Sequence, residues 1–287
     1  MTHRKPTATL LISCPDQRGL VARIAQFIYQ NNGNIIHSDH HTDSESGLFL
    51  MRIEWETDGF QIPREKLAQV FAPQATELRL TWELHFSDPP PRMAIFVSRQ
   101  SHCLYDLLWR HSAGELSADV VVVVSNHPEL APAVERYGIP FAVFPISPET
   151  KALQEQKELE LLSQHRVEVV VLARYMQILS QQIVDRYPNR IINIHHSFLP
   201  AFVGAKPYHQ AHSRGVKLIG ATAHYATADL DEGPIIEQDV ERVSHRDDVE
   251  DLVRRGRDLE RVVLARAVRL HLEHRVLPYG RKTVVFD

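Results

Sequence analysis

A chain of 287 residues, 44% apolar and 24% charged, has material for one large soluble domain or two unequal ones. Its 32 basic and 36 acidic side chains give a net charge of −4, so no broad electropositive field points to nucleic acid. Cys14 and Cys103 are too few for a disulfide framework, no N-terminal h-region precedes polar sequence, and runs such as Val120 to Val124 are too short to span a bilayer. The expectation is a cytoplasmic protein with reduced thiols and with neither membrane nor nucleic acid as partner.

Residues 1–86 read as a first domain. Thr7 to Ser13 is strand-like, and Cys14-Pro15-Asp16-Gln17-Arg18-Gly19 is a polar turn. Val21, Ile24, Ala25 and Ile28 recur at helical spacing from Leu20 to Asn31, and Asn31-Asn32-Gly33-Asn34 ends that helix. Ile35 to Thr42 and Leu48 to Trp55 form a predicted strand pair about the turn Asp43 to Gly47. Arg64 to Ala72 predicts a second helix and Glu77 to Phe86 a last strand. The order βαββαβ is the ferredoxin-like plan. With Pro15-Asp16-Gln17-Arg18-Gly19-Leu20 opening the first helix, this segment resembles an ACT domain. The resemblance implies a small-molecule effector, commonly an amino acid, bound at an interface of a homo-oligomer. Asp16, Arg18 and Gly19 are the candidate regulatory residues, because a helix N-terminus there suits a carboxylate; Gly19 equally eases a tight turn.

Ser87-Asp88-Pro89-Pro90-Pro91 is a stiff break, and residues 87–91 are read as a linker. From residue 92 to 287 strands and helices alternate. Met93 to Val97, Asp119 to Val124, Phe141 to Phe144 and Glu168 to Leu172 are predicted strands; Cys103 to Arg110, Glu129 to Tyr137 and Glu149 to His165 are predicted helices. The valine-rich strands suit a sheet covered on both faces, and the βαβ series implies a mainly parallel, Rossmann-like α/β sheet. After Asp247 a long helix carries Leu252, Leu259, Val262, Val263, Ala267 and Leu270, with arginines forming a solvated face. Lys282 to Phe286 adds an edge strand.

The stretch from Arg190 to Asp239 holds the chemistry. Ile191 to Ile194 is an apolar strand in which Asn193 and His195 share one face at strand period. A shaped loop, SFLPAFVGAKP, follows; Lys217 to Ala226 and Pro234 to Val240 are further strands around Asp229-Leu230-Asp231-Glu232-Gly233. An amide, an imidazole and a carboxylate at strand ends suit attack on a carbonyl: the first two donate to an oxyanion or move a proton, and the third accepts one. Spacing alone leaves Asp229 and Asp231 equivalent, since both can cap the turn.

NIHHSFLPAF followed by HYATADLDEGPIIEQ resembles the signature of the folate-dependent formyl transfer and hydrolysis family, most closely its formyltetrahydrofolate deformylase branch. The doublet His195-His196 is the deformylase-like form. The resemblance implies a formyltransferase-type domain, a folate substrate and water as formyl acceptor. It selects Asn193, His195 and Asp231 as the catalytic trio. Tyr175, Met176, Gln177, Ile178 and Leu179 match the pterin-pocket segment, and His224 is expected to position Asp231 or the pterin. It requires no metal, nicotinamide or other cofactor. His195, His196, His209, His212 and His224 invite a metal reading, but no His-Glu-x-x-His motif accompanies them. Ser98-Arg99-Gln100-Ser101-His102-Cys103 lacks the glycines of a phosphate loop, which argues against a ribonucleotide acceptor. Two rivals remain: formyl transfer to an amine, and an amino-acid sensor with a silent second domain.

Overall fold

The structure, a computed structural model, describes residues 5–200 and 207–287. Two compact units appear, one comprising residues to Pro90 with Glu273–Leu277 and Val284–Asp287, the other Pro91–Leu272 with Pro278–Thr283.

In the first unit the chain runs β1 (Thr7–Pro15), α1 (Leu20–Gln30), β2 (Asn34–Asp43), β3 (Leu48–Glu56), α2 (Arg64–Glu77) and β4 (Thr81–Phe86). The most apolar strands take the middle of a sheet ordered β2-β3-β1-β4. Ile12 faces Met51 on one side and Trp82 on the other, both antiparallel. Leu20, Ile24 and Ile28 of α1 and Leu67, Phe71 and Ala75 of α2 fall at helical spacing, and they pack with Leu10, Ile12, Met51, Ile53 and Trp55 into one core. Gly19 opens α1 at φ 85, a left-handed conformation that glycine adopts without strain.

Two boundaries differ from the sequence reading by more than two residues. The second helix continues through Pro73 to Glu77, and β4 begins at Thr81 instead of Glu77. The buried stripe Leu67, Phe71, Ala75, Leu78 keeps its period past the proline, so burial outweighs the lost N–H. The chain leaves the first unit at Pro90 and returns to it at 273–277 and 284–287, a return that the division at 87–91 did not contain. There the buried Arg52 guanidinium donates to the carbonyls of His274 (2.9 Å) and Glu273 (3.0 Å) and to the Glu54 carboxylate (2.8 Å).

The second unit contains β5 (Arg92–Val97), α3 (His102–Ser112), β6 (Asp119–Ser125), α4 (Ala131–Glu135), β7 (Phe141–Val143), α5 (Lys151–Gln164), β8 (Val169–Leu172), α6 (Gln181–Arg186), β9 (Ile191–His195), α7 (Pro207–Arg214), β10 (Leu218–Tyr225), β11 (Ile235–Arg242) and α8 (Val249–Leu272). Its sheet is ordered β11-β10-β9-β8-β5-β6-β7. The strands from β5 to β9 are parallel, and β10 and β11 are antiparallel additions. Two short strands, β12 (Val276–Tyr279) and β13 (Lys282–Val285), pair with each other. Sequence reading missed α6 and β12, which lie in short segments without a clear period. Of the loop expected after His196, residues 201–206 lie outside the described residues.

The helix α8 buries Leu252, Leu259, Val263, Ala267 and Leu270 as its period requires, while Val262 is only half-buried. Its arginines pair with acids: Arg255 with Glu241 and Asp247, and Arg266 with Asp239. Among the described residues no helix is long and apolar enough to cross a membrane.

Pro73 is exposed in the interior of α2 and withholds one backbone donor. Pro73→Ala is expected to stabilise the protein by about 1 kcal/mol or more, read as an increased midpoint in urea unfolding with an unchanged slope.

Candidate active site

Strand β5 lies between β6 and β8, where the strand order turns; in such sheets a crevice opens at the carboxyl ends of the strands. Ser98, just past β5, ties that crevice together. Its hydroxyl donates to Asn126 Oδ1 (2.7 Å) and accepts the Met176 N–H (3.0 Å), and its own N–H donates to the Arg174 carbonyl (3.3 Å). A cavity of about 570 Å³ opens here, lined among others by Leu172, residues 174–179, 193–196 and 226–228, His224, Leu230 and Asp231.

Pairing of β9 with β10 places Asn193 opposite His224 and His195 opposite Thr222. Asn193 Nδ2 lies 3.1 Å from His224 Nε2. His195 Nδ1 is 3.2 Å from Asp231 Oδ1, and His224 Nε2 approaches the same oxygen at 3.7 Å. Hydrogen bonds from His195 and His224 hold the Asp231 carboxyl well below the usual carboxylate range. With Nδ1 turned to that carboxylate, His195 is left with Nε2 buried and without a partner among the described residues, an atom free to meet a substrate.

The turn between β10 and β11 aims the acid. Asp231 has φ 58, and two residues later Gly233 passes so close to β10 that a Cβ would sit 1.7 Å from the Tyr225 carbonyl oxygen. Only glycine fits this approach. Asp229 is exposed, and its carbonyl accepts the Thr227 hydroxyl. Geometry thus separates the two acids that spacing leaves equivalent. Behind β9, the buried Thr222 hydroxyl donates to the Ser197 carbonyl (2.9 Å) and accepts the Leu199 N–H (3.0 Å), fixing the chain just after the histidine doublet.

All six residues expected to contact folate line the cavity: Tyr175, Met176, Gln177, Ile178, Leu179 and His224. Met176 and Ile178 are 57% and 56% exposed, apolar side chains standing open in the crevice. Asp16, Arg18 and Gly19 are exposed in the turn between β1 and α1 and do not line it. His209 does, but among the described residues the group with metal-ligand spacing is His102, Cys103 and Glu260. The Glu260 carboxylate is there already engaged by His102, Tyr208 and Arg174.

Comparison with known proteins decides the family. The model of the formyl transferase family matches residues 91–268, and that of the ACT domain residues 8–72. A formyltetrahydrofolate deformylase from Synechocystis is 62% identical over 98% of both chains. The chain belongs to the formyltetrahydrofolate deformylase family. A solved deformylase from Pseudomonas syringae superposes with a TM-score of 0.97 at 49% identity, covering 100% of this chain and 96% of its own. Glycinamide ribonucleotide transformylase 1 from Symbiobacterium toebii gives a TM-score of 0.66 at 33% identity, covering 71% of this chain and 98% of its own. The ACT-like and formyltransferase-type reading of the two halves is borne out.

Three buried residues around this cavity escaped the sequence reading, Glu155, Glu158 and Glu260, and Arg174, inside the expected pocket segment 173–179, was given no role of its own. The two glutamates of α5 anchor both ends of the pocket segment. Tyr175 donates its hydroxyl to Glu158 Oε1 (2.9 Å), and the Ser180 N–H donates to Glu155 Oε1 (3.1 Å). Their signal was present, because Glu155, Glu158 and Leu162 form one helical stripe, but charge marked them as surface. Burial pushes the Glu158 carboxyl up to about 7, against the pull of the Tyr175 hydrogen bond.

A carboxyl raised from 4.5 to about 7 by folding favours the folded state least when it is ionised in both states. Its cost is absent below the unfolded value and grows as pH rises through the folded one. Glu158→Gln is therefore expected to gain stability over the parent at pH 8 by about 1–3 kcal/mol and to gain much less at pH 4.5, checked by urea unfolding at both pH values.

Proposed function

We infer that this chain hydrolyses 10-formyltetrahydrofolate to formate and tetrahydrofolate, with water as the formyl acceptor. Family membership over nearly the whole chain supports the reaction. The observation that carries its placement in the molecule is the cluster of Asn193, His195 and Asp231 on one cavity wall, beside the apolar segment that follows β8.

In this reading the pterin lies against Met176, Ile178 and Leu179 and presents the formyl group to the trio. Asn193 donates its amide hydrogen to the formyl oxygen as that oxygen becomes an oxyanion. Asp231 orients the water. Its carboxylate is a weak base alone, because His195 already hydrogen-bonds it and His224 lies 3.7 Å away, so the proton from water is taken by Asp231 and His195 acting as a coupled pair. Water oxygen bonds the formyl carbon, the bond to the folate nitrogen breaks, and His195 Nε2–H protonates that nitrogen as it leaves. Asn193, His195 and Asp231 handle every charge in this sequence, so no step is given to a metal or cofactor. The reaction would balance one-carbon pools and supply formate for purine synthesis.

Formate release measured without any amine acceptor tests the reading. Asn193→Ala is expected to lower kcat about 100-fold to 1000-fold, and Asp231→Asn by at least about 100-fold, with tetrahydrofolate binding retained in both. Asp229→Asn should stay near the parent rate, and exhaustive chelation should leave that rate intact. No formate without an amine would favour the transferase rival, and recovery of a chelated enzyme by added zinc would overturn the metal-free sequence.

For the first unit we propose an amino-acid effector and a homo-oligomer. The support is the ACT match and the helix N-terminus at Gly19, beside exposed Asp16 and Arg18. Light scattering and formate assays across a panel of amino acids should show one that alters rate in the parent and loses its effect in Arg18→Ala. A panel without any response would remove the sensing role.

A further inference from the structure

One wall of the cavity has no part in the chemistry above. Arg174 stands there, 7% exposed, with its backbone at φ 64 in the region that favours glycine. Its Nε donates to Gln100 Oε1 at 3.0 Å and lies 3.4 Å from Glu260 Oε2. Glu260, 1% exposed on α8, also receives His102 Nε2 at 2.6 Å and the Tyr208 hydroxyl at 2.8 Å. Tyr208 gets there because α8 carries Gly256, where a Cβ would lie 2.0 Å from that hydroxyl. These donors outweigh burial and hold the Glu260 carboxyl below its ordinary value. An oxygen that would otherwise accept from an incoming hydroxyl or amine is thus already occupied.

This wall adjoins the reacting end of the cavity. The rings of His195 and His196 have centroids 5.1 Å apart, and His196 lies 6.2 Å from the Tyr208 ring. Burial first, then the charge of Arg174, pushes His196 down to about 4. The same fold serves a transformylase named for glycinamide ribonucleotide, so the scaffold itself does not forbid a larger acceptor. Something in this chain must.

We propose that the Arg174–Glu260 pair, braced by Gln100, His102 and Tyr208, fills the part of the cavity that an amine acceptor would occupy and so restricts the acceptor to water. Arg174 is on this account a specificity determinant that acts by occupying space and by tying up Glu260. The inference rests on formyl transfer chemistry taking place at Asn193, His195 and Asp231.

Partition of the formyl group between water and an added small amine tests it, because that ratio does not depend on how much enzyme is active. With glycinamide as probe, the amine nitrogen bonds the formyl carbon, the bond to the folate nitrogen breaks, the Asp231–His195 pair takes a proton from the amine, and the folate nitrogen gains one. The products are N-formylglycinamide and tetrahydrofolate. Arg174→Gly suits the backbone at φ 64 and removes the guanidinium. The double variant Arg174→Gly, Glu260→Gln also removes the carboxylate charge that the single change leaves buried without its guanidinium partner.

The ratio of N-formylglycinamide to formate, read by mass spectrometry, is expected to rise at least ~10-fold over the parent in either variant. An unchanged ratio in both overturns the proposal. Where a variant turns over too slowly to partition, saturation-transfer NMR of glycinamide with tetrahydrofolate bound reads the same point. Binding in the variant but not in the parent supports the proposal, and equal behaviour in the two overturns it. Absence of formate from the parent enzyme would instead count against the hydrolase reading.

Discussion

The carboxylate of Asp231 shared between His195 and His224 is the constraint on which the site depends. It requires β9 and β10 to run antiparallel in one register, because only that pairing sets Asn193 and His195 beside the face on which His224 stands. It also requires the next turn to fold back tightly enough for Asp231 to reach both rings, which the close approach of Gly233 to Tyr225 allows. Parallel strands would need a long crossover to meet, whereas an antiparallel pair is joined to its neighbour by a short turn. The two antiparallel strands added to an otherwise parallel sheet are thus what makes the trio possible.

Around that contact the cavity has two unlike walls. One is built from apolar side chains carried by a segment with no regular structure of its own, held at its ends by Glu155 and Glu158 and near its start by Ser98. Shape at this wall comes from a rigid support placed behind a loop. The other is a set of buried charged groups that satisfy one another, in which Glu260 is the common acceptor. A buried charge is costly unless its partners are well placed, so this set gains most through the arrangement it enforces and least through net stability.

Much of this was legible in the sequence. Period-2 apolar runs and helical stripes located most of the elements, and the spacing of Asn193, His195 and the acidic turn marked the site. The limits were physical. A proline in α2 looked like a stop because its cost is local, while the burial that overrode it is spread over Leu67, Phe71, Ala75 and Leu78. Asp229 and Asp231 differ only in the backbone path of one turn, which spacing does not encode. Glu260, Glu155 and Glu158 went unseen, and the part Arg174 plays with Glu260 did too, because a charged residue reads as surface unless its partners are known, and those partners lie outside its own element. Resemblance to a family supplied the choice of Asp231, and the structure sets that residue, not Asp229, against His195.

The return of the chain's end to its first unit carries a consequence for how the molecule is made. Arg52 is fixed by a carbonyl 222 residues downstream, and Phe286 is buried. During synthesis the N-terminal unit emerges first and can pair its four strands early, yet one of its buried cations has to wait for the segment at Glu273 and His274, more than 200 residues later. The first unit to appear is therefore among the last to be finished. A chain stalled or clipped before residue 273 would carry the complete trio together with a first unit whose buried Arg52 guanidinium lacks two of its acceptors, a defect that a quality-control protease can recognise.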